Sequence, residues 1–319
     1  MNRHLFSLFL LMFLFSVSEG KASSRSMDLA INTESDLDDL LSESSGLVYR
    51  RGKIWTHNDS GSEAEIYTVN PLTGEIEQTI RLENIINHDW EDIASDEQYI
   101  YIADTGNNNG GGRTDLAVYK ISLDDIPLSG HAVIPENKIE IIRFYYPEQG
   151  ISPIPSGNNN TAFDCEAMIV LNDEIHLFTK DWTSVSAGYA CSDYVIPNVP
   201  HPKDEKYPAR LINRYENLGF LVTGADSRES GDVILVGYQI EAIGVIVVCL
   251  CSDFKDNDVF AGKNDFAIIG SALNLGQVEG ICFGETSSKG YISNESFKFN
   301  DFTYPAKIKS FELIFEQNP

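Results

Sequence analysis

Apolar residues along this chain fall at every second position in short runs, broken by Gly, Asn, Asp and Pro. Alternation of that kind belongs to half-buried β-strands, and sustained helical spacing is nearly absent. The one helix candidate is the short stretch Ser35 to Leu41. The pattern predicts an all-β fold: a sandwich, a barrel or a propeller.

A repeat selects among these. A polar opening residue is followed by a small or acidic one and an aliphatic, then a tight turn, then a second apolar strand with a polar end. The copies open as Ser45-Gly-Leu-Val, Glu91-Asp-Ile-Ala, Glu166-Ala-Met-Ile, Thr223-Gly-Ala-Asp and Glu279-Gly-Ile-Cys. Their second strands read "KIWTHNDSG", "YIYIADTGNN", "EIHLFTKDW", "DVILVGYQ" and "KGYISNES". Further strands follow each hairpin, among them "EIYTV", "LAVYKI", "KIEIIRFYY", "ARLINRY", "GVIVVCLC" and "AKIKSFEL". Five such units predict a five-bladed β-propeller. The last unit is one strand short, and the segment near Leu29 to Thr33 is expected to supply it and close the ring, which removes open edges. Openings lie 46 to 75 residues apart. The excess sits in "GNNNGGG", Pro147 to Thr161 and Asp181 to Pro208, all turn-rich and read as surface insertions, the first of them flexible. A β-sandwich is the alternative architecture.

In a propeller the first strand of each blade lines the central channel, and the loop after the second strand returns to the same face. The repeat therefore places Ser45, Glu91, Glu166, Thr223 and Glu279 in an inner ring. Around it should stand His57, Asn58, Asp59, Asp104, Asn107, Arg113, Lys180, Trp182, Tyr238, Asn294 and Glu295. Three carboxylates about a narrow axis repel one another and resist burial. A divalent cation relieves both, and Ca2+ accepts carboxylates, hydroxyls, carbonyls and waters in flexible geometry. The alternative is that each Glu caps backbone N–H groups or pairs with a neighbouring blade. Zinc is disfavoured because no His or Cys takes a ring position. In the outer set, Asp59, Asp104, Arg113 and Lys180 are the catalytic candidates: carboxylates that could activate water, and cations that could hold an anion. His57, Asn107, Trp182, Tyr238, Asn294 and Glu295 are candidates for binding. Each also has a structural reading, in turns, local ion pairs or core packing.

Charge and cysteine content narrow the partners. A formal net charge of −25 disfavours nucleic acid and anionic membranes as surface partners. Five Cys (165, 191, 249, 251, 282) cannot all pair within the chain, and none has zinc-ribbon spacing. Buried thiols are expected, with Cys165–Cys191 a pair that could bridge. Residues 1–22 read as a signal peptide: Arg3 and His4, the apolar run Leu5 to Val17, then small residues. The run is too short to span a bilayer comfortably. The expectation is an exported, secreted or periplasmic monomer, with residues 23–319 forming one domain and no transmembrane span. Asn58, Asn159 and Asn294 fit glycosylation acceptor patterns, and no nucleophile elbow, phosphate loop, zinc-protease or dinucleotide motif is present.

The ordered ring Ser45, Glu91, Glu166, Thr223, Glu279, with "VEGICF" and "NDSG", resembles that of the calcium-activated apyrases, secreted five-bladed propeller nucleotidases. Thr223 stands where that family tends to have Ser. The resemblance implies an axial Ca2+ held by these five residues. From about Ser45 to Leu313 the chain is also similar to uncharacterised exported bacterial propellers with "HNDSG", "DWEDIA", "DTGNN" and a following Arg, "DCEAM", "GQVEGI" and "SNE". Phytase-like and esterase-like propellers share the Glu-Gly-aliphatic openings more distantly. Two functions follow as expectations. One is a metal-dependent hydrolase of a phosphate or ester. The other is a non-catalytic propeller with a structural cation that binds a small anion, glycan, peptide or protein. A pocket where many polar groups besides the ring converge favours the first.

Overall fold

Each repeated opening folds as the inner strand of an antiparallel sheet, and five sheets stand around one axis in the computed structural model. The structure describes residues 27–150, 156–203, 205–240, 244–299 and 302–315. The proposed signal segment lies outside them. The inner strands are Ser44–Arg50, Trp90–Ser95, Asp164–Leu171, Leu221–Ser227 and Gln277–Phe283. Each pairs with its second strand through a tight turn: Lys53–Asn58, Tyr99–Asp104, Glu174–Lys180, Val233–Tyr238 and Lys289–Glu295. The fold is an all-β propeller of five blades.

Met27–Asp36 closes the ring as expected. It pairs antiparallel with Lys307–Phe315 and becomes the outermost strand of the fifth blade, with Leu29 opposite Leu313. The core is divided among the five interfaces between blades. Trp55, Ile66, Trp90 and Ile102 pack between blades 1 and 2. Tyr101, Phe144, Met168 and Leu177 pack between blades 2 and 3. Phe178, Phe220, Leu235 and Cys249 fill the next interface, and Val236, Val248, Ile281 and Phe311 the one after. Leu41, Leu47, Ile54, Tyr67 and Ile308 join blade 5 back to blade 1. Alternation along each strand sends one set of apolar side chains to either neighbour, which is why both faces of every blade read as apolar.

Three sequence expectations change. Ser35–Leu41 is not a helix: the strand runs to Asp36, and one 3-10 turn, Asp39–Leu41, follows under the Asp38 side-chain cap. So short a segment cannot offset helix nucleation, and its first residues pair with Ile308 and Lys307 instead. The stretch 181–208 is only partly an insertion, because Cys191–Pro197 is the buried third strand of blade 3, beside Arg210–Tyr215. "GNNNGGG" is anchored: the Gly111 N–H donates to Asn107 O, Ser156 N–H to Gly110 O and Asn159 N–H to Asn108 O.

Short strands also stitch blades at their outer edges. Ala132–Ile134 leaves the second blade and pairs in parallel with Ile76–Leu82 of the first. Tyr207–Pro208 leaves the third and pairs with Ile139–Tyr145 of the second. Each covers an otherwise open edge. All five Cys are free and buried, so Cys165 and Cys191 form no bridge. Among the described residues no helix is long and apolar enough to cross a membrane.

Candidate functional site

The inner strands are kinked where the ring residues sit. In blades 2 to 5 the pairing slips by one residue at Glu91, Glu166, Thr223 and Glu279. A bulge of this kind leaves one residue unpaired and re-aims its side chain. In blade 1 Ser45 still pairs with His57 and the irregularity falls at Gly46 and Leu47. Gly46 has φ +61°, and a Cβ there would lie 2.6 Å from the Ile93 nitrogen and 2.7 Å from Asp92 Oδ1. Glycine is required by both conformation and space.

At this end of the channel lies a cavity of about 240 Å3. Ser45, Glu91, Glu166 and Glu279 of the ring line it, with Asp59, Lys180, Trp182, Tyr238 and Glu295 of the outer set. Thr223 is buried just behind, its hydroxyl donating to Val278 O at 2.8 Å. Ser45 likewise donates to Glu91 O at 2.6 Å. Both hydroxyls thus tie one blade to the next while keeping lone pairs to offer. Larger openings of about 570 and 490 Å3 lie at the other end, around Arg50, Ser227 and Arg228. There Arg228 pairs with Asp232 and Arg50 donates to Ser95, so size does not mark the chemistry.

One ammonium sits among the carboxylates. Lys180 Nζ is 3.0 Å from Glu166 Oε2, with both side chains buried, and lies over the rings of Trp182 (4.8 Å) and Tyr238 (5.2 Å). Burial works against its charge, but Glu166, Tyr238 and Glu279 outweigh burial and hold its pKa well above the usual lysine value. Glu279 accepts from Gln277 Nε2 at 2.7 Å. Glu91 has no such partner. It is 4% exposed, and among the described residues no N–H or O–H donates to its carboxylate. Burial first, then Glu166 and Asp59, push its pKa well above the carboxylate range. Burial and Asp59 raise Asp89 to about 6; burial and Glu279 raise Glu295 to about 8.

Two groups of carboxylates bring their oxygens within 4.8 Å of one another: Glu91 with Asp164 and Glu166, and Glu91 with Asp59 and Asp89. Asp89 and Asp164 carry no sequence-predicted site role, although both stand in the quoted motifs. The signal was present: each lies two residues before a ring glutamate, as Gln277 does in blade 5. Asn108 and Asn159 also reach the cavity, from the anchored insertion. Deeper on the axis is Asp92, fully buried, which accepts from Met168 N–H at 2.8 Å and Ala225 N–H at 3.3 Å. It joins the inner strands of blades 2, 3 and 4.

The remaining predicted residues stand outside the cavity lining. Asp104 and Arg113 pair at 2.8 Å, and Arg113 also donates to Gly106 O and bonds Asp115, so together they fix the loop over Glu91. Asn107 donates its N–H to Asp164 and takes the Arg113 N–H. His57 is buried against Trp90, its pKa lowered to about 4 by burial, which makes it neutral. Asn294 accepts from Lys309 at 2.6 Å. The Asn58 and Asn294 side chains are buried, which closes them to glycosylation in the folded chain.

No family model matches the chain, and no curated protein matches it. Solved structures do. Similar ones include the calcium-binding protein regucalcin from Agrobacterium tumefaciens (9% identity, 84% of this chain and 89% of that one, TM-score 0.39). A gluconolactonase from Xanthomonas campestris matches at 11% identity, over 92% of this chain and 99% of that one, with TM-score 0.42. The tail fibre of Staphylococcus aureus phage P68 matches at 9% identity and TM-score 0.47 over 90% of this chain, which spans 53% of its length. None of these likenesses assigns a residue or an activity to this chain.

Proposed function

We propose that the cavity holds a Ca2+ ion between Glu91, Asp164 and Glu166, and that the protein is an exported hydrolase of a small phosphate or ester. The observation that carries the reading is the buried, unpartnered Glu91 carboxylate. Carboxylates held this close and this far from bulk water repel one another, and a cation between them relieves the repulsion. The donors fit calcium: the lining offers carboxylate, hydroxyl and amide oxygens and contains no His or Cys. A bound calcium would supply Lewis-acid polarisation of a substrate oxygen.

The chain's own residues then have separate tasks. Lys180 attracts the anionic group, while Trp182 and Tyr238 hold its position as cation–π partners. Glu295 lines the same cavity, and in this reading the attacking water stands beside it. Water oxygen bonds to the phosphorus or carbonyl carbon as the bond to the leaving oxygen breaks. Glu295, in its ionised form, accepts the water proton and returns it to the leaving oxygen, so turnover should rise as pH approaches its raised pKa of about 8. Convergence of metal ligands, an ammonium and a further carboxylate in one cavity favours catalysis over binding alone.

The interblade hydrogen bonds of Ser45 and Thr223 favour a second reading, in which the cation only braces the inner strands and the face binds a glycan, peptide or protein. A panel of phosphate and carboxylic esters, assayed with calcium and with chelator, separates the two. Calcium-dependent turnover lost in Lys180→Met supports the hydrolase. Calcium-dependent melting with no turnover on any ester selects the second reading.

A further inference from the structure

We propose that the cavity takes a second divalent cation, held by Asp59, Asp89 and Glu91, so that Glu91 bridges two ions. The inference rests on the calcium site above and adds a second position at the cavity mouth. Calcium–oxygen distances are about 2.3–2.6 Å, so donors around one ion stand up to about 5 Å apart. Each carboxylate group satisfies that limit on its own, and the two share only Glu91. A carboxylate has two oxygens, one for each ion.

The electrostatics ask for more than one ion. The two groups together contain five carboxylates, and among the described residues Lys180 is the ammonium beside them. Their formal sum is −4. Glu279 and Glu295 line the same cavity, so one divalent ion leaves the site strongly negative.

The packing around the mouth holds the second group in place. Asn87 Nδ2 donates to Asn58 O at 3.0 Å and to Asp59 O at 2.9 Å, fastening the first-blade loop to the second blade. That brings Asp59 against Asp89. Gly106 lies over the shared oxygens: a Cβ there would sit 2.1 Å from Glu91 Oε1 and 2.4 Å from Asp89 Oδ2. Glu91 is nine-tenths buried, lines the cavity and takes no N–H or O–H donor among the described residues, so an ion on one of its oxygens leaves the other open to a second.

The two positions differ in character. In the inner one, Asp164 already accepts from Asn107 N–H and Trp182 Nε1, both at 2.6 Å, and Glu166 is fixed by Lys180. Preorganised and buried, it binds tightly. Asp59 and Asp89 are half-buried, so the outer ion exchanges with solvent and meets the ligand. Two divalent cations held there would neutralise the charge of a phosphate ester undergoing in-line displacement, the substrate class that the pair would suit.

Calorimetric calcium titration of the chelator-stripped full chain tests this. The wild type should bind two Ca2+ with separated affinities. Asp89→Asn and Asp59→Asn should each keep the tight ion and weaken the other at least tenfold. Glu91→Gln should weaken both. Melting in chelator checks that each variant is folded, and the two mouth variants reach the question from different blades. One ion in the wild type, bound unchanged in both mouth variants, overturns the second position and leaves the first standing. No bound calcium overturns both.

Discussion

Gly106 shows how closely the loop after the second strand of blade 2 approaches the ring. Any side chain there would strike Glu91 and Asp89. Gly106→Ala should lower stability by about 1–3 kcal/mol, the usual cost of overpacking, and should weaken calcium binding in isothermal titration. A variant with wild-type stability and affinity would show that the loop does not shape the site. Asp226 carries a pH dependence. Burial raises its pKa to about 7, although Phe283 N–H and Ser227 N–H donate to it. A carboxyl raised in the folded state binds a proton that the unfolded chain has already lost. Its contribution is therefore present at low pH and lost as pH rises from about 4 to about 7. In chelator, the melting temperature of Asp226→Asn should fall less across that window than the wild type's. An equal fall would assign the dependence to other groups. At this scale the sequence was informative where residues repeat. Glu91 stood out against four counterparts, whereas the pairing of Asp104 with Arg113 depends on a loop path that spacing cannot fix.

At the scale of elements, strands with period-two alternation were legible and the exceptions were short or interrupted. Cys191–Pro197 was hidden because its flanks are rich in Pro, Ser and Asp, and long turn-rich connections separate it from its sheet neighbours Glu174–Lys180 and Arg210–Tyr215. The bulges were invisible for a different reason: a one-residue slip changes no residue type, only which side chain points at the axis. Met27–Asp36 was the exception that could be placed, because a ring with a missing strand needs a donor. Deleting residues 27–36 would expose the edge of Lys307–Phe315 and unbury Met27 and Leu29. Losing these two side chains alone costs about 3–6 kcal/mol. The truncated chain should melt at a markedly lower temperature and elute partly as aggregate. Wild-type melting and a single monomeric peak would mean the closure adds little.

For the whole molecule, the fold brings carboxylates from blades 1, 2, 3 and 5 to one end of the axis, where the Lys180 ammonium stands among them. The ring itself is the sum of five local openings, which is why it could be drawn from the repeat. The position of Lys180 inside the cavity could not, because it depends on how far the end of a second strand leans over the axis. Replacing Lys180 with Met removes a positive charge and frees Glu166, so calcium affinity should rise while affinity for a small anion falls. The opposite sign for calcium would place the ion away from Glu166. The central claim is that a divalent cation occupies the carboxylate cavity, and calcium-dependent melting tests it most directly. At a calcium concentration about a hundredfold above its dissociation constant, the wild type should gain about 2.7 kcal/mol and melt several degrees higher than in chelator. Glu91→Gln should show little of that gain. A wild type that melts at one temperature with calcium and with chelator, or a Glu91→Gln variant with the full wild-type shift, would contradict the account.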